Sequence, residues 1–196
     1  MYRGFGVTGY RRRAIEVFFI LPRHAETPTP RYMGRRVDPM DRPRFLADRM
    51  LGSLAKKLRL LGIDTAYAGD ADDSELKYLV RNQNRILLTR NIDLSRSLDD
   101  LAWPVTGKDI REEFLSIAEK LKPFCDLLVP FSRCLECNNL LLSMDPTEAQ
   151  GKVPPFIYQS QKIFTHCPSC GKVFWKGTHS ERMEEVVRWM RGAMEG

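Results

Sequence analysis

No apolar run in the 196-residue sequence is long enough to span a membrane. The longest such run, residues 14–21, is interrupted by Glu16, and no signal-peptide cleavage pattern follows it. Internal repeats and low-complexity tracts are also missing. Together with the cysteine usage described below, these absences predict a soluble cytoplasmic protein made of one ordinary domain and a small module.

The net charge of +6 comes entirely from one end of the chain. Residues 1–45 hold ten arginines and four acidic residues, whereas residues 46–196 hold 21 basic and 21 acidic residues. The basic character typical of nucleic-acid-binding domains is therefore confined to the N-terminal part. Five prolines lie between positions 22 and 43, so residues 1–43 are predicted to be a basic, proline-rich arm. This arm is either flexible or a mis-assigned start upstream of Met40.

Four of the five cysteines form two Cys-x-x-Cys pairs, Cys134 with Cys137 and Cys167 with Cys170. Two such pairs can supply four thiolates to one tetrahedral Zn²⁺, and four sulfurs leave no open position for catalysis. The pattern therefore predicts a structural zinc ribbon, with two disulfides or two redox pairs as the alternatives. Cys125 is interpreted as a small buried residue, and a complete set of thiolates makes a zinc-binding role for His166 unnecessary.

Short apolar segments alternate with amphipathic segments in the first half of the chain. Strands are predicted at 45–48, 64–68 and 86–89, and helices at 51–61 and from Asp73 onward. Strands and helices that alternate through short loops are typical of a parallel sheet with helices on both faces. The predicted fold class is therefore α/β.

The second half of the chain contains the zinc module and a final helix. A strand is predicted near Val105, followed by a helix that Asp109 caps. Segments 140–142 and 156–158 are predicted strands of the module, and Ser180 is predicted to cap the final helix. The predicted domains are the arm (1–43), the α/β domain (44–130), the zinc ribbon (131–180) and the C-terminal helix (181–196).

Three aspartates lie near strand ends in the α/β domain. Asp48 ends the first strand, Asp73 opens the helix before the third, and Asp93 follows the third. Each has an ordinary structural alternative, as a helix cap for Asp48 and Asp73 and as a turn residue for Asp93. Ligands of open α/β sheets bind at the carboxyl ends of the strands, and a shared cation would neutralise converging carboxylates. Their common location therefore favours a site for Mg²⁺ or Mn²⁺, which prefer oxygen ligands.

Several separated motifs resemble one known family. They are Phe45-Leu-Ala-Asp48-Arg-Met-Leu-Gly-Ser-Leu-Ala-Lys-Lys-Leu-Arg-Leu-Leu-Gly-Ile-Asp64, Asp73-Ser-Glu-Leu76, Arg85-Ile-Leu-Leu-Thr-Arg90, Ser132-Arg-Cys-Leu-Glu-Cys-Asn138, and Cys167-Pro-Ser-Cys-Gly-Lys-Val-Phe-Trp175-Lys-Gly-Thr-His179. In this order they resemble the PIN-like ribonuclease domain of the Mut-seven C-terminal RNase family. The resemblance implies a PIN-like three-layer α/β/α domain with a central parallel sheet, a C-terminal zinc ribbon and a metal-dependent ribonuclease activity.

The resemblance also implies a catalytic set. Asp48 and Asp73 match the family's acids, and Asp93 matches a second acid often seen in its loop. Asn91 stands where the family usually has an aspartate, which removes one negative charge but leaves a carbonyl ligand. The predicted catalytic residues are therefore Asp48, Asp73, Asp93 and Asn91, with the three aspartates as ligands of Mg²⁺ or Mn²⁺.

Basic residues near these motifs are candidates for holding the RNA backbone. Arg90, Lys57 and Arg133 are the predicted substrate-binding residues. Lys56 and Arg59 are interpreted as a solvated helix face. Trp175 and Phe174 are candidate stacking surfaces for bases, although Trp175 fits the ribbon core equally well.

These observations predict a metal-dependent endoribonuclease whose ribbon positions RNA. The alternative is a non-catalytic module that binds RNA or ribosomes through a degraded acidic site, which Asn91 and the neutral main body would explain. A PIN-type toxin is disfavoured because the ribbon adds bulk that small toxins generally lack. The sequence predicts no membrane association and gives no oligomeric state.

Overall fold

The computed structural model describes residues 42–177 and 180–196, together with the backbone of residues 31–32 and 35–36. In the N-terminal part, strand β1 (Arg31–Tyr32) pairs antiparallel with β2 (Arg35–Arg36). The remainder of the predicted arm and His179 lie outside the described residues, so the arm stays a prediction.

Four short strands form a parallel sheet at the centre of the main domain. They are β3 (Phe45–Ala47), β4 (Thr65–Tyr67), β5 (Ile86–Thr89) and β6 (Ala102–Pro104), in the order β4-β3-β5-β6. The strand predicted near Val105 is β6, which ends one residue earlier. The chain moves outward from β3 to β4 and then crosses back to β5. The strand order therefore reverses between β3 and β5.

Helices cover both faces of this sheet. They are α1 (Gly52–Leu60), α2 (Asp73–Gln83), α3 (Ile92–Leu98) and α4 (Ile110–Leu121), with 3-10 turns at Arg49–Leu51, Asp99–Leu101 and Lys122–Leu127. Successive strand residues point to opposite faces. Leu46 and Leu87 accordingly pack with residues of α2 and α3, and Phe45 and Leu88 with residues of α1 and α4. This arrangement confirms the predicted three-layer α/β/α domain.

Side-chain caps begin three of these helices. Asp109 accepts hydrogen bonds from the backbone N–H groups of Arg111 and Glu112, which confirms the predicted cap of α4. The cap of α2 is Asp72, one residue before Asp73, and Asn91 caps α3. Each cap satisfies backbone donors that have no partner within the helix.

The zinc module contains a second, antiparallel sheet. Its strands are β7 (Leu142–Met144), β8 (Phe164–His166) and β9 (Val173–Trp175), in the order β7-β8-β9. Between β7 and β8 lie a 3-10 turn (Pro146–Ala149) and helix α5 (Pro155–Ser160). The prediction of a strand at 156–158 is therefore wrong, because Pro155 occupies the first position of a helix, where its fixed φ is favourable. The predicted strand at 140–142 begins two residues later, although Leu140 forms a single bridge with Arg133.

The side chains of the ribbon strands form a small core of their own. Trp175 is 5% exposed and packs with Met144 and Phe164, while the neighbouring Phe174 is 1% exposed. Both aromatic rings are buried, so neither offers a surface for base stacking. Trp175 thus has the alternative role predicted for it, as part of the ribbon core.

The last helix, α6 (Ser180–Glu195), packs against the α/β domain. The rings of Trp189 and Phe114 have centroids 5.5 Å apart, and the Arg111 guanidinium lies 5.1 Å from the Trp189 ring. Arg191 donates to the carbonyl of Cys125 at 3.3 Å. In the part of the chain that the structure describes, neither this helix nor any other has the length and apolar character needed to cross a membrane.

The ribbon is fastened to the α/β domain through Arg59. This residue is 5% exposed, and its guanidinium donates to the carbonyls of Thr65 at 2.8 Å, Leu135 at 2.8 Å and Glu136 at 2.9 Å. The interpretation of Arg59 as part of a solvated helix face is therefore wrong. Lys56 lies beside it in an ion pair with Glu136 at 3.4 Å. Arg59 is buried because the first knuckle, which is the turn from Cys134 to Cys137, covers this face of α1.

Candidate active site and zinc centre

The carboxyl ends of β3 and β5 form the crevice where open α/β sheets usually bind ligands. Asp48 directly follows β3 and is only 8% exposed. Its Oδ1 accepts from the backbone N–H of Met50 at 2.9 Å, and its Oδ2 accepts from the Thr89 hydroxyl at 2.6 Å and the Arg90 N–H at 3.2 Å. Asp48 therefore caps the turn after β3 and also fixes the end of β5.

Asn91 and Asp73 join Asp48 in one hydrogen-bonded network. The buried Thr89 hydroxyl accepts from the Asn91 N–H at 3.0 Å while it donates to Asp48. The Asn91 side chain accepts from Leu94 N–H through Oδ1 at 3.1 Å and donates to Asp73 Oδ2 at 3.3 Å. Three of the four predicted catalytic residues thus lie together at this edge of the sheet.

Asp93 lies apart from that network. It is the second residue of α3 rather than a turn residue, and its side chain is 95% exposed. Its ion pair is with Arg96, one helical turn further on, at 3.5 Å. A role for Asp93 as a metal ligand stays a prediction.

Glu113, on α4, is an acidic residue near Asp48 that was not among the predicted site residues. It is 7% exposed and pairs with Arg90 at 3.4 Å. Burial raises the pKa of the Glu113 carboxyl, Arg90 opposes the rise, and the charges of Asp109 and Asp48 add to it. The sequence carries a signal for this residue. Glu113 precedes the inward-facing Ile117 by four positions, so it is a charged residue on the buried face of a helix.

Arg90 connects Glu113 to the loop before α4. Its Nη2 donates to the Gly107 carbonyl at 2.8 Å, and its side chain remains 36% exposed. Gly107 has a φ of +143°, and a Cβ there would lie 2.5 Å from the Glu113 nitrogen, so the close approach requires glycine. Arg90 therefore sits beside the acidic residues with part of its guanidinium open to a ligand.

The four paired cysteines converge on one point in the ribbon. Their Sγ atoms all lie within 4.8 Å of one another, with Cys134 to Cys170 at 3.6 Å and Cys137 to Cys167 at 3.2 Å. A tetrahedral zinc with Zn–S bonds of about 2.3 Å requires sulfurs about 3.8 Å apart. These close approaches run between the two knuckles and no disulfide is present among the described cysteines. The arrangement fits Zn²⁺ better than two local redox pairs or disulfides.

The two knuckles share one backbone geometry. In the first, Cys134 N–H donates to the Asn139 carbonyl at 2.8 Å. In the second, Cys167 N–H donates to the Lys172 carbonyl at 2.9 Å. Asn138 and Gly171 follow the second cysteine of each pair with φ of 68° and 70°. Asparagine and glycine tolerate this left-handed conformation best.

A scan against protein-family models matches residues 43–187 to the Mut7-C RNAse domain. The chain belongs to the Mut7-C RNAse domain family. The match covers both the parallel sheet and the ribbon, so it confirms the predicted family and supports a ribonuclease-type function. No curated protein and no solved structure matches the chain.

The acidic edge of this Mut7-C domain has the donor chemistry of a hard-cation site. Among the described residues, the four cysteines are the only group of three or more possible ligands whose donor atoms lie within 4.8 Å of one another. Asp48 and Glu113 are nevertheless both buried here, and burial raises the pKa of the Glu113 carboxyl. Carboxylate oxygens are the ligands that Mg²⁺ and Mn²⁺ prefer, and a catalytic ion at this edge stays a prediction.

Two of the predicted RNA contacts of the Mut7-C domain lie outside the acidic network. Lys57 is a half-buried residue of α1 that lines a cavity of about 200 Å³ with Phe114 and Trp189. Arg133 donates to the Gly62 carbonyl at 3.2 Å and the Asn138 carbonyl at 2.8 Å, at the junction with the ribbon. An RNA-binding role for each stays a prediction.

Proposed function

We propose that this Mut7-C domain is a metal-dependent endoribonuclease that hydrolyses RNA phosphodiesters. Its substrate class is RNA, and its catalytic cofactor is Mg²⁺ or Mn²⁺. A reducing cytoplasm is the compartment that suits it, because the ribbon needs free thiolates for a structural zinc.

The position of Asp48 is the main support for this proposal. The carboxylate is buried at the reversal point of the strand order, held by three donors, and linked through Thr89 to Asn91 and Asp73. A carboxylate needed only as a cap is usually exposed, as Asp72 and Asp109 are here. Burial of Asp48 near a second acid, Glu113, favours a functional charge.

Each residue of the edge has a distinct part in the proposal. Asp48, Asp73 and Asp93 would hold the divalent ion, with Glu113 beside them. The bound ion would supply a water molecule of lowered pKa and stabilise charge that develops on the phosphate. Thr89 fixes the orientation of Asp48, and Arg90 is placed to contact a phosphate oxygen.

The test is cleavage of a mixed RNA pool with Mn²⁺ or Mg²⁺ by the wild type and by Asp48→Asn. We expect Asp48→Asn to abolish turnover. Because Asp48 also caps a turn, a matched control is Asp145→Asn, which removes a carboxylate that accepts from the N–H two residues on in the same way, at 2.8 Å, but in the ribbon. Unchanged cleavage by Asp48→Asn in a preparation free of contaminating nuclease would place the active site elsewhere.

A second candidate function is a non-catalytic RNA-binding module. Asn91 favours it, because each end of its amide group already has a partner, the oxygen on the Leu94 N–H at the cap of α3 and the nitrogen on Asp73. Calorimetric titration with Mn²⁺ separates the two candidates. Absence of both metal binding and cleavage in the wild type would make the binding module the better conclusion.

A further inference from the structure

Three arginines form ion pairs with a single carboxylate at the amino end of the parallel sheet, and a fourth lies near them. Asp64, which precedes β4, accepts from Arg85 at 2.6 Å, and its other oxygen lies 3.5 Å from Arg133 and 3.7 Å from Arg44. Arg42 lies close enough to act electrostatically on Arg133. One carboxylate can balance only one of these four positive charges.

Among the described residues, the ion pairs of Arg44, Arg85 and Arg133 all lead to one acid, Asp64. Arg85 and Arg133 also donate to neutral backbone carbonyls, those of Phe45, Gly62 and Asn138. The charged cluster is therefore suited to an additional anionic partner.

An open groove of about 600 Å³ lies beside this cluster, between the α/β domain and the ribbon. Its lining includes the charged residues Asp64, Arg85 and Arg133 and the apolar residues Leu140, Leu142 and Pro168. The two leucines are exposed, at 55% and 50%. The groove therefore combines guanidinium groups with an exposed apolar surface.

We propose that this arginine groove, with the exposed Arg42 and Arg44 at its border, binds a single-stranded segment of the RNA substrate. Arginine matches phosphate geometry through its planar fork of donors, and the leucines can cover the face of an unpaired base. β4 and β7 lie at the ends of their sheets, where a peptide strand would pair, but such pairing gives no reason for an excess of arginines. The positive charge of the groove complements the phosphates of RNA, and we therefore choose RNA over a peptide strand.

The arginine groove and the acidic edge lie at opposite ends of the same sheet. Arg44 precedes β3 and Asp48 follows it, so the two are separated by four residue steps, or about 13 Å along an extended strand. A strand held in the groove must extend across the domain before it reaches Asp48. The groove should therefore matter for long RNAs and have little effect on very short ones.

Binding is tested with the double variant Arg42→Gln/Arg44→Gln in an Asp48→Asn background without divalent metal. These two arginines are exposed, so their loss spares the buried contacts of Arg85 and Arg133. By fluorescence anisotropy with a single-stranded RNA, we expect affinity to fall about tenfold at low salt. The slope of log affinity against log salt should decrease by about 1.4, which corresponds to two phosphate contacts.

The matched control is Arg81→Gln/Arg188→Gln, which removes the same charge from exposed positions on α2 and α6. It should change affinity less than the groove variant does. An equal loss in both double variants would mean that only net charge matters, and the groove assignment would be overturned. Binding of a polyglutamate peptide as tight as that of RNA of matched charge would overturn the choice of RNA.

Cleavage adds a second readout, which rests on the proposed function. The groove variant with Asp48 restored should show a raised KM on an RNA of about 30 nucleotides and an unchanged kcat/KM on a dinucleotide, which is too short to cover the distance of about 13 Å between the groove and Asp48. Equal effects on both lengths would contradict the separation of groove and acidic edge. Failure of the wild type to cleave any RNA would contradict the proposed function but not the proposal for the groove, because RNA binding is measured without turnover.

Discussion

The hydroxyl of Thr89 donates to Asp48 Oδ2 at 2.6 Å and accepts from the backbone N–H of Asn91 at 3.0 Å. Thr89 is fully buried, so this one hydroxyl joins the ends of β3 and β5 without solvent. The Thr-Arg pair of the sequence therefore has a physical role. Threonine orients the Asp48 carboxylate. The following arginine donates its backbone N–H to the same carboxylate and pairs its guanidinium with Glu113.

Replacing Thr89 with valine should disturb Asp48 while leaving the packing volume nearly unchanged. The substitution removes the hydroxyl and leaves a buried carboxylate oxygen with one donor fewer, at a cost of about 1–3 kcal/mol. Urea denaturation should show this loss, and cleavage should fall strongly. Thr89→Ser keeps the hydroxyl and should recover most of the activity. Equal activity of the valine and serine variants would show that orientation of Asp48 does not depend on Thr89.

Restoring the usual family residue with Asn91→Asp should have opposite effects on stability and on metal affinity. The amide nitrogen now donates to Asp73 at 3.3 Å, and a carboxylate there would place two negative charges side by side. The metal-free protein should lose stability, whereas Mn²⁺ should bind more tightly and offset that loss. Thermal unfolding with and without Mn²⁺ measures both effects. A variant with unchanged metal affinity would show that residue 91 does not face the ion.

The sequence predicts the sheet and the cluster of four cysteines well because each follows from local patterns. Strands such as 86–89 are continuous apolar runs between polar segments, and the two Cys-x-x-Cys pairs define their own knuckles. The prediction of a strand at 156–158 is wrong, and the reason is local as well. A proline pair disfavours a central strand but is also a good start for a helix.

Long-range contacts account for the other differences between sequence and structure. The position of Arg59 in the helical pattern is typical of an exposed face of α1. It is buried because the first knuckle packs on it through Leu135 and Glu136. The spacing of Glu113 to Ile117 indicates the buried face of α4, but it does not indicate that Glu113 lies near Asp48. Which aspartate contacts Asn91 also depends on the helix geometry, so Asp93 could not be separated from Asp73 by its position in the chain.

Zinc removal should loosen the ribbon and also weaken the α/β domain. Cys134 and Cys167 belong to the same buried core as Leu54 and Leu58, so the knuckles are not an independent unit. Metal binding contributes about 10 kcal/mol to folding in small zinc modules. Metal analysis should find one zinc per chain, and Cys170→Ser should lower protection from hydrogen exchange in the ribbon and in α1. Finding no zinc in native protein would contradict the prediction.

Arg59 should be the main contact that couples the stability of the ribbon to that of the α/β domain. Arg59→Met keeps most of the buried side-chain volume but leaves the carbonyls of Thr65, Leu135 and Glu136 without this donor. We expect a loss of stability of about 2–4 kcal/mol. Lys56→Met is the matched control, because its ion pair with Glu136 is exposed and contributes about 0–1 kcal/mol. Similar losses in the two variants would argue against a special role for Arg59.

Asp64 should make stability depend on pH in the acid range. Burial alone would raise the pKa of the Asp64 carboxyl, but hydrogen bonds from Arg85 and Asn138 and the charge of Arg133 outweigh burial and lower it. A carboxyl whose pKa is lower in the folded protein contributes stability above its unfolded pKa, about 3.9, and loses it as the pH falls through the folded pKa. The free energy of unfolding should therefore be about 2 kcal/mol lower in Asp64→Asn at pH 7, and the difference should shrink below about pH 4. Urea denaturation from pH 7 to pH 3 measures it, with Asp100→Asn as an exposed control. A difference that stays constant to pH 3 would show that Asp64 acts through its shape and hydrogen bonds alone, without a contribution from its charge.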